Sequence, residues 1–68
     1  MQIGVLTVSD RAASGDYDDA SGPLITAVIE KRTNWQVVHQ EIVPDEIPLI
    51  AERLRQWSSA NVNLILTT

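Results

Sequence analysis

The sequence has no cysteine and a single histidine, His39, among its 68 residues. The lack of cysteine excludes disulfides and thiolate metal sites, and a single histidine excludes a multi-histidine metal site. Basic residues are scarce as well, because five Lys and Arg against nine Asp and Glu give a formal net charge of -4. This balance argues against a nucleic-acid partner or an anionic membrane surface, both of which need clustered Lys and Arg. It still permits a small anionic ligand held by backbone N–H groups or by a metal.

Long apolar runs are absent too. No segment approaches the roughly eighteen apolar residues of a membrane-spanning helix, and the N-terminus has no basic stretch typical of a signal peptide. We therefore expect a soluble cytoplasmic protein that has no membrane partner. Apolar residues make up 44% of the chain and charged residues 21%, a globular composition. The length allows at most one domain with a small core, since a domain of about 60 residues buries only about 60% of its unfolded surface.

Three stretches have the composition of β-strands. Residues 3–8 and 62–67 are almost wholly apolar, which is typical of central strands buried on both faces of a parallel sheet. Residues 35–43 have mixed polarity, which predicts a strand at or near the edge of the sheet.

Two stretches between these strands have helical signals. Gly22 and Pro23 predict a helix start, so the first helix should cover residues 23–32. Asp45 and Glu46 should open the second helix, whose predicted apolar stripe is Ile47, Ile50, Leu54 and Trp57. The order β-α-β-α-β with helical crossovers predicts an α/β fold with an open, mainly parallel sheet flanked by helices.

Ligands of open α/β sheets bind outside the carboxyl ends of the strands. Three polar stretches should meet at that edge, one after each strand: Ser9-Asp10-Arg11, Pro44-Asp45-Glu46 and Thr67-Thr68. The helix start at Ser21-Gly22 should present backbone N–H groups to the same edge, where they could bind phosphate. The chain has neither G-x-G-x-x-G nor G-x-x-x-x-G-K-[ST], so the common dinucleotide and P-loop interpretations have no support.

Each charged residue at this edge has two interpretations. Asp10 could bind Mg²⁺ or pair with Arg11, but a local cap or turn role is favoured on sequence grounds. Arg11 suits phosphate and is equally suited to a surface ion pair. Asp45 could cap the second helix or serve as a metal or ligand group, and Pro48 weakens the capping interpretation because proline has no N–H to donate.

The acidic loop between the first strand and the first helix resembles a calcium loop only in composition. Asp16, Asp18 and Asp19 lack the glycine and the terminal glutamate of the EF-hand spacing. A solvated, mobile loop that becomes ordered on binding is the favoured interpretation. Tyr17 could stack on a ring, although an ordinary packing role is favoured, and His39 and the two tryptophans are expected to be structural.

Three segments together resemble one known family. The segments IGVLTVSDRAASGDYDDASGP, IVPDE and LILTT are similar, in order and spacing, to the molybdopterin adenylyltransferases, which include the MogA and MoaB types and the G domains of gephyrin and its plant counterpart. The resemblance covers essentially the whole chain. It implies that the 68 residues are the N-terminal part of one larger, three-layer molybdopterin-binding domain, which would continue with a Gly-Gly-Thr-Gly loop.

The resemblance also implies an activity. Members of the family transfer AMP from Mg-ATP to the terminal phosphate of molybdopterin, release pyrophosphate and form trimers. By position, Asp45 and Asp10 would be catalytic, with Asp45 as the metal ligand for Mg²⁺. Substrates would be bound by these residues of the strand ends and the helix start: Ser9, Asp10, Arg11, Ser21, Gly22, Thr67 and Thr68. The acidic loop would then lie over a site for Mg²⁺ and polyphosphate.

Two alternatives stay open at this point. Some MoaB-type members bind molybdopterin without efficient adenylylation, so a binding or scaffold module is the second hypothesis, although Asp10 and Asp45 together favour the catalytic branch. An unrelated flavodoxin-like or receiver-like fragment would follow from the β-α-β order alone. We expect the 68 residues by themselves to be inactive and poorly stable, with activity in the full-length parent.

Overall fold

The computed structural model of the protein describes residues 1–16 and 18–68, so the interpretation of Tyr17 lies outside the described residues. These described residues form three strands and three helices in this order: β1 (Gln2–Val8), α1 (Asp10–Ser14), α2 (Ser21–Arg32), β2 (Gln36–Val43), α3 (Ile47–Ser59) and β3 (Leu64–Thr67). None of the helices in the described part of the chain has the length and apolarity needed to cross a membrane.

The strands form one parallel sheet with the order β2-β1-β3. The α/β prediction with a parallel sheet is therefore confirmed, and within the described residues β1 is central and β2 lies at the edge, as predicted. Within the described residues β3 pairs only with β1, so the central place of the third strand stays a prediction about a larger sheet. The side chains of β3 are exposed or half-buried, because one of its edges and much of its surface have no neighbour there.

The two long helices cover opposite faces of the sheet. On one face, α2 packs through Ile25 and Ile29 against Ile3 and Val5 of β1. On the other face, Leu6 of β1 packs in a cluster with these residues: Val8, Val43, Ile50, Leu54, Trp57, Val62 and Ile65. The central strand is therefore buried from both sides, as its apolar sequence predicts.

The predicted stripe of α3 is confirmed at three of its four positions. Ile50, Leu54 and Trp57 pack against the sheet, whereas Ile47 is 80% exposed. Ile47 is the first residue of the helix and belongs to neither of the two core clusters. The helix also begins later than predicted, since Glu46 occupies the N-cap position and makes no side-chain cap bond.

Trp57 lies directly on the backbone of β1. A Cβ atom at Gly4 would lie 2.5 Å from Cε3 of Trp57, so only glycine allows this approach. The indole also stacks on His39, with ring centroids 5.4 Å apart, and its Nε1 donates a hydrogen bond to Glu41. The register of β1 against β2 shifts between Ile3 and Gly4, which places His39 opposite Gly4. His39 and Trp57 thus have the structural role that the sequence predicts.

Candidate functional site

The strand order defines where a ligand site should form. The chain goes from β1 to β2 on one side and then returns to β3 on the other side of β1. In open α/β sheets the crevice at such a reversal, outside the carboxyl ends of the strands, is the usual ligand site. A cleft of about 370 Å³ lies there, lined by these residues of β1, the following loop, the α2 start and the chain end: Thr7, Val8, Ser9, Ala12, Asp18, Asp19, Ala20, Ser21 and Thr68.

Backbone hydrogen bonds hold the two strand ends together beneath this cleft. The N–H of Thr68 donates to the carbonyl of Leu6, and the N–H of Val8 donates to the carbonyl of Thr68. Thr68 therefore continues the β1-β3 pairing to the rim, where it lines the cleft. Thr67, also a predicted site residue, pairs with Leu6 inside β3 and is absent from the cleft lining.

A short helix follows β1 where the sequence indicates only loop. Ser9 is its N-cap, and its hydroxyl accepts a hydrogen bond from the N–H of Ala12. Gly15 ends the helix in the left-handed conformation, with φ of 84°. The sequence contains both signals, a serine cap and a C-terminal glycine, but a five-residue helix has too little apolar periodicity to be recognised. Ser9 lines the cleft through this turn.

Asp19 joins the end of β1 to the start of α2. Its Oδ2 accepts a hydrogen bond of 2.8 Å from the hydroxyl of Thr7, and its Oδ1 accepts one of 3.1 Å from the N–H of Gly22. The second bond is a capping interaction, since it satisfies a first-turn N–H group that has no partner within the helix. Ala20 holds the N-cap position and makes no side-chain cap bond, and α2 begins at Ser21, two residues before the predicted start.

The same contacts explain Gly22. A Cβ atom at this position would lie 2.5 Å from Oδ2 of Asp19 and 3.1 Å from the hydroxyl oxygen of Thr7. The N–H of Gly22, predicted as a phosphate donor, is instead used by Asp19. Ser21 beside it lines the cleft.

Asp19 is the residue that the sequence interpretation missed. The sequence favours a loop that is mobile until a ligand binds, but two hydrogen bonds fix the Asp19 carboxylate, and Thr7 beneath it is only 5% exposed. A signal was present, because an aspartate three residues before Gly22 and four before Pro23 has the spacing of a helix cap. This signal is hard to recognise because Asp19 is one of several aspartates in the loop.

Asp10 and Asp45 lie together at the rim between β1 and β2. Oδ1 of Asp10 accepts a hydrogen bond of 2.8 Å from the backbone N–H of Asp45, a residue 35 positions away in sequence. The favoured interpretation of Asp10 as a local cap is therefore wrong, because Ser9 caps α1 and Asp10 reaches the neighbouring loop. The capping interpretation of Asp45 is wrong as well, since Glu46 holds the N-cap position.

The Asp45 carboxylate and the Arg11 guanidinium are both exposed. Within residues 1–16 and 18–68, neither side chain has a hydrogen-bond or ion-pair partner. The ion pair considered for Arg11 is thus not formed with any of the described acids. Both groups are available to a ligand.

The arrangement fits one kind of Mg²⁺ site. No group of three or more histidine or acidic side chains among the described residues could enclose a metal ion. Mg²⁺ is commonly bound by one or two carboxylates together with substrate phosphates rather than by a complete protein cage. The exposed carboxylate of Asp45, next to Asp10, suits that shared arrangement.

Comparison with known proteins identifies the family and the fold of the chain. The sequence profile described as "Probable molybdopterin binding domain" matches residues 4–68. The chain belongs to this molybdopterin-binding domain family. Its fold is also that of a family member, because a crystal structure of the molybdopterin biosynthesis enzyme MoaB from Thermus thermophilus superposes with a TM-score of 0.85 at 36% identity. That match covers 97% of this chain and 42% of MoaB.

Curated relatives of the chain include enzymes and larger proteins. It is 41% identical to molybdopterin adenylyltransferase of Helicobacter pylori, a match that covers the whole chain and 40% of that protein. It is 37% identical to gephyrin of Dictyostelium discoideum, with 97% of the chain matched to 10% of that protein. The chain therefore spans between a tenth and about two fifths of the length of these relatives.

Proposed function

We propose that this molybdopterin-binding chain belongs to a molybdopterin adenylyltransferase of molybdenum cofactor biosynthesis. The reaction transfers the AMP group of ATP to the terminal phosphate of molybdopterin and releases pyrophosphate. The observation that carries the proposal is the Asp45 carboxylate, which is exposed, has no partner among the described residues and lies at the carboxyl edge of the sheet on a hydrogen-bonded backbone. The relative from Helicobacter pylori that bears this enzyme's name supports it.

The chemistry requires little covalent help from the protein. An oxygen of the molybdopterin phosphate attacks the α-phosphorus of ATP. The bond between this phosphorus and the oxygen that bridges the α- and β-phosphates breaks, so that pyrophosphate leaves with the bonding electrons. Catalysis of such transfers depends on in-line positioning and on neutralising charge. Bound Mg²⁺ would supply part of that neutralisation, with Asp45 as its ligand.

The remaining predicted residues have distinct proposed roles. The Arg11 guanidinium offers a planar donor set that suits phosphate oxygens. The hydroxyl-bearing residues Ser9, Ser21 and Thr68 line the cleft and would orient the substrates. Gly22 would contribute because it has no Cβ atom, which leaves space for the Asp19 carboxylate that lines the cleft.

We further propose that the chain is the N-terminal part of a single larger domain, which acts in the cytoplasm as a homotrimer. Two observations support the larger domain: the matched relatives are longer, and within the described residues β2 and β3 each pair only with β1. Further residues would then complete the nucleotide part of the site.

The substitution Asp45→Asn tests the proposal in the full-length protein. We expect kcat for pyrophosphate release to fall by about 10²-fold or more, the usual loss when a group that stabilises transition-state charge is removed. The affinity for molybdopterin should change little. Equilibrium binding of molybdopterin and the rate of pyrophosphate release are measured on the same preparation.

The control is Glu30→Gln, which removes the same charge from the exposed surface of α2. It should keep the activity of the unsubstituted protein. Molybdopterin binding without turnover in the unsubstituted protein would instead assign the chain to the binding or scaffold class.

A further inference from the structure

We infer that Asp10 is a positioning residue, which acts through Asp45 rather than by binding the metal itself. It holds the backbone of residues 44–46, which we call the Asp45 loop. The catalytic part of this inference rests on the proposed function. The structural part, a carboxylate that fixes the Asp45 amide, stands on geometry alone.

The Asp45 loop has few internal means of holding its shape. Pro44 has no N–H group, so the backbone pairing of β2 cannot continue through it. The N–H of Glu46 donates to the carbonyl of Pro44 at 2.8 Å, which closes a three-residue γ-turn around Asp45. The N–H of Asp45 is then the remaining donor of this turn, and Asp10 accepts it.

Asp10 is held where it can do this. The N–H of Ser9 donates to the carbonyl of Val43 at 2.9 Å, so the backbone of the preceding residue is joined to the end of β2. Ser9 caps α1, so the Asp10 carboxylate is not needed as a cap. Pro44 ends the backbone pairing of β1 with β2. Beyond that point, the hydrogen bond from the N–H of Asp45 to the Asp10 side chain takes the place of a backbone bond.

This contact has a direct consequence for Asp45. Its backbone is fixed on both sides while its carboxylate has no partner among residues 1–16 and 18–68. A charged acceptor gives a shorter and stronger hydrogen bond than a neutral one, about twice as strong. Since a displacement of about 1 Å in a positioning element can cost about 10²-fold in rate, loss of Asp10 should reduce catalysis without removing a ligand.

The test compares Asp10→Asn with Asp10→Ala in the full-length protein. Asparagine keeps an oxygen acceptor, so Asp10→Asn should have about tenfold higher kcat than Asp10→Ala, which should lose about 10²-fold. The Mg²⁺ concentration that gives half-maximal rate should stay within about twofold of the unsubstituted value in both variants, since a positioning residue supplies no metal ligand. Equal losses in the two variants together with a raised Mg²⁺ requirement would overturn the inference and make Asp10 a metal ligand.

A second readout does not depend on activity. In ¹⁵N-labelled protein, amide exchange at Asp45 should accelerate by about tenfold or more in Asp10→Ala and by less in Asp10→Asn, because the acceptor is lost only in the first. Glu30→Gln serves as the charge-matched control and should leave this exchange unchanged. An Asp45 amide that exchanges equally in all variants would overturn the inference. Exchange as expected in a protein that lacks adenylyl transfer would uphold the positioning contact and reject the proposed function.

Discussion

Asp19 shows how one carboxylate can shape a site without contacting a substrate. Its carboxylate accepts hydrogen bonds from the buried hydroxyl of Thr7 and from the N–H of Gly22, which has no partner within α2. Both bonds form only because Gly22 has no side chain. The shape of this side of the cleft therefore depends on the contacts among Thr7, Asp19 and Gly22. Sequence spacing could predict the cap but not the Thr7 contact, because residues 12 positions apart are brought together only by the fold.

The substitution Gly22→Ala tests this arrangement. The new Cβ would displace the Asp19 carboxylate, so we expect the free energy of unfolding to fall by about 1–3 kcal/mol, a typical cost of overpacking. In an Asp19→Ala background the same substitution should cost clearly less, because the atom it would strike is gone. Urea unfolding of the four variants of this cycle in the full-length protein measures the coupling, and equal costs in both backgrounds would refute the contact.

At the scale of elements, the helices show what periodicity can and cannot reveal. The spacing of Ile50, Leu54 and Trp57 predicts the buried face of α3, since burial repeats every turn. It wrongly includes Ile47, because periodicity does not indicate where the covering sheet ends. The number of strands beside β3 is unpredictable for a similar reason, because apolar composition indicates the tendency to be buried and not the number of neighbouring strands.

Two alanine substitutions separate these positions. Ile47→Ala should change the free energy of unfolding by no more than about 0.5 kcal/mol, as is usual for exposed sites. Leu54→Ala should cost about 2 kcal/mol, the low end for a leucine because this one is only partly buried. Thermal or urea unfolding of both variants in the full-length protein checks the order, and a larger loss at Ile47 would show that a further surface covers it.

At the scale of the whole molecule, the described residues combine a small core with two outer strands that each pair on one side only. Ile3, Val5 and Leu6 are the largest fully buried side chains among the described residues, and all three belong to β1. The central strand and the two apolar layers could be predicted from the sequence because they follow from local patterns. The cleft could be placed only at a rim, since its lining depends on the strand order and on the Asp19 contacts.

This architecture predicts weak stability for the 68 residues in isolation. A domain of this size buries too little surface for a large net stability, and each outer strand pairs on one side only within the described residues. Urea titration followed by tryptophan fluorescence and far-ultraviolet circular dichroism should give broad, non-coincident changes. A single cooperative transition seen by both probes would show that the segment folds independently.

The most direct test of adenylyl transfer is product formation by the full-length protein supplied with ATP, Mg²⁺ and molybdopterin. We expect adenylylated molybdopterin and pyrophosphate to appear in a one-to-one ratio, and both to be lost together in Asp45→Asn. Molybdopterin that binds but stays unmodified, with no pyrophosphate released, would contradict the proposed activity.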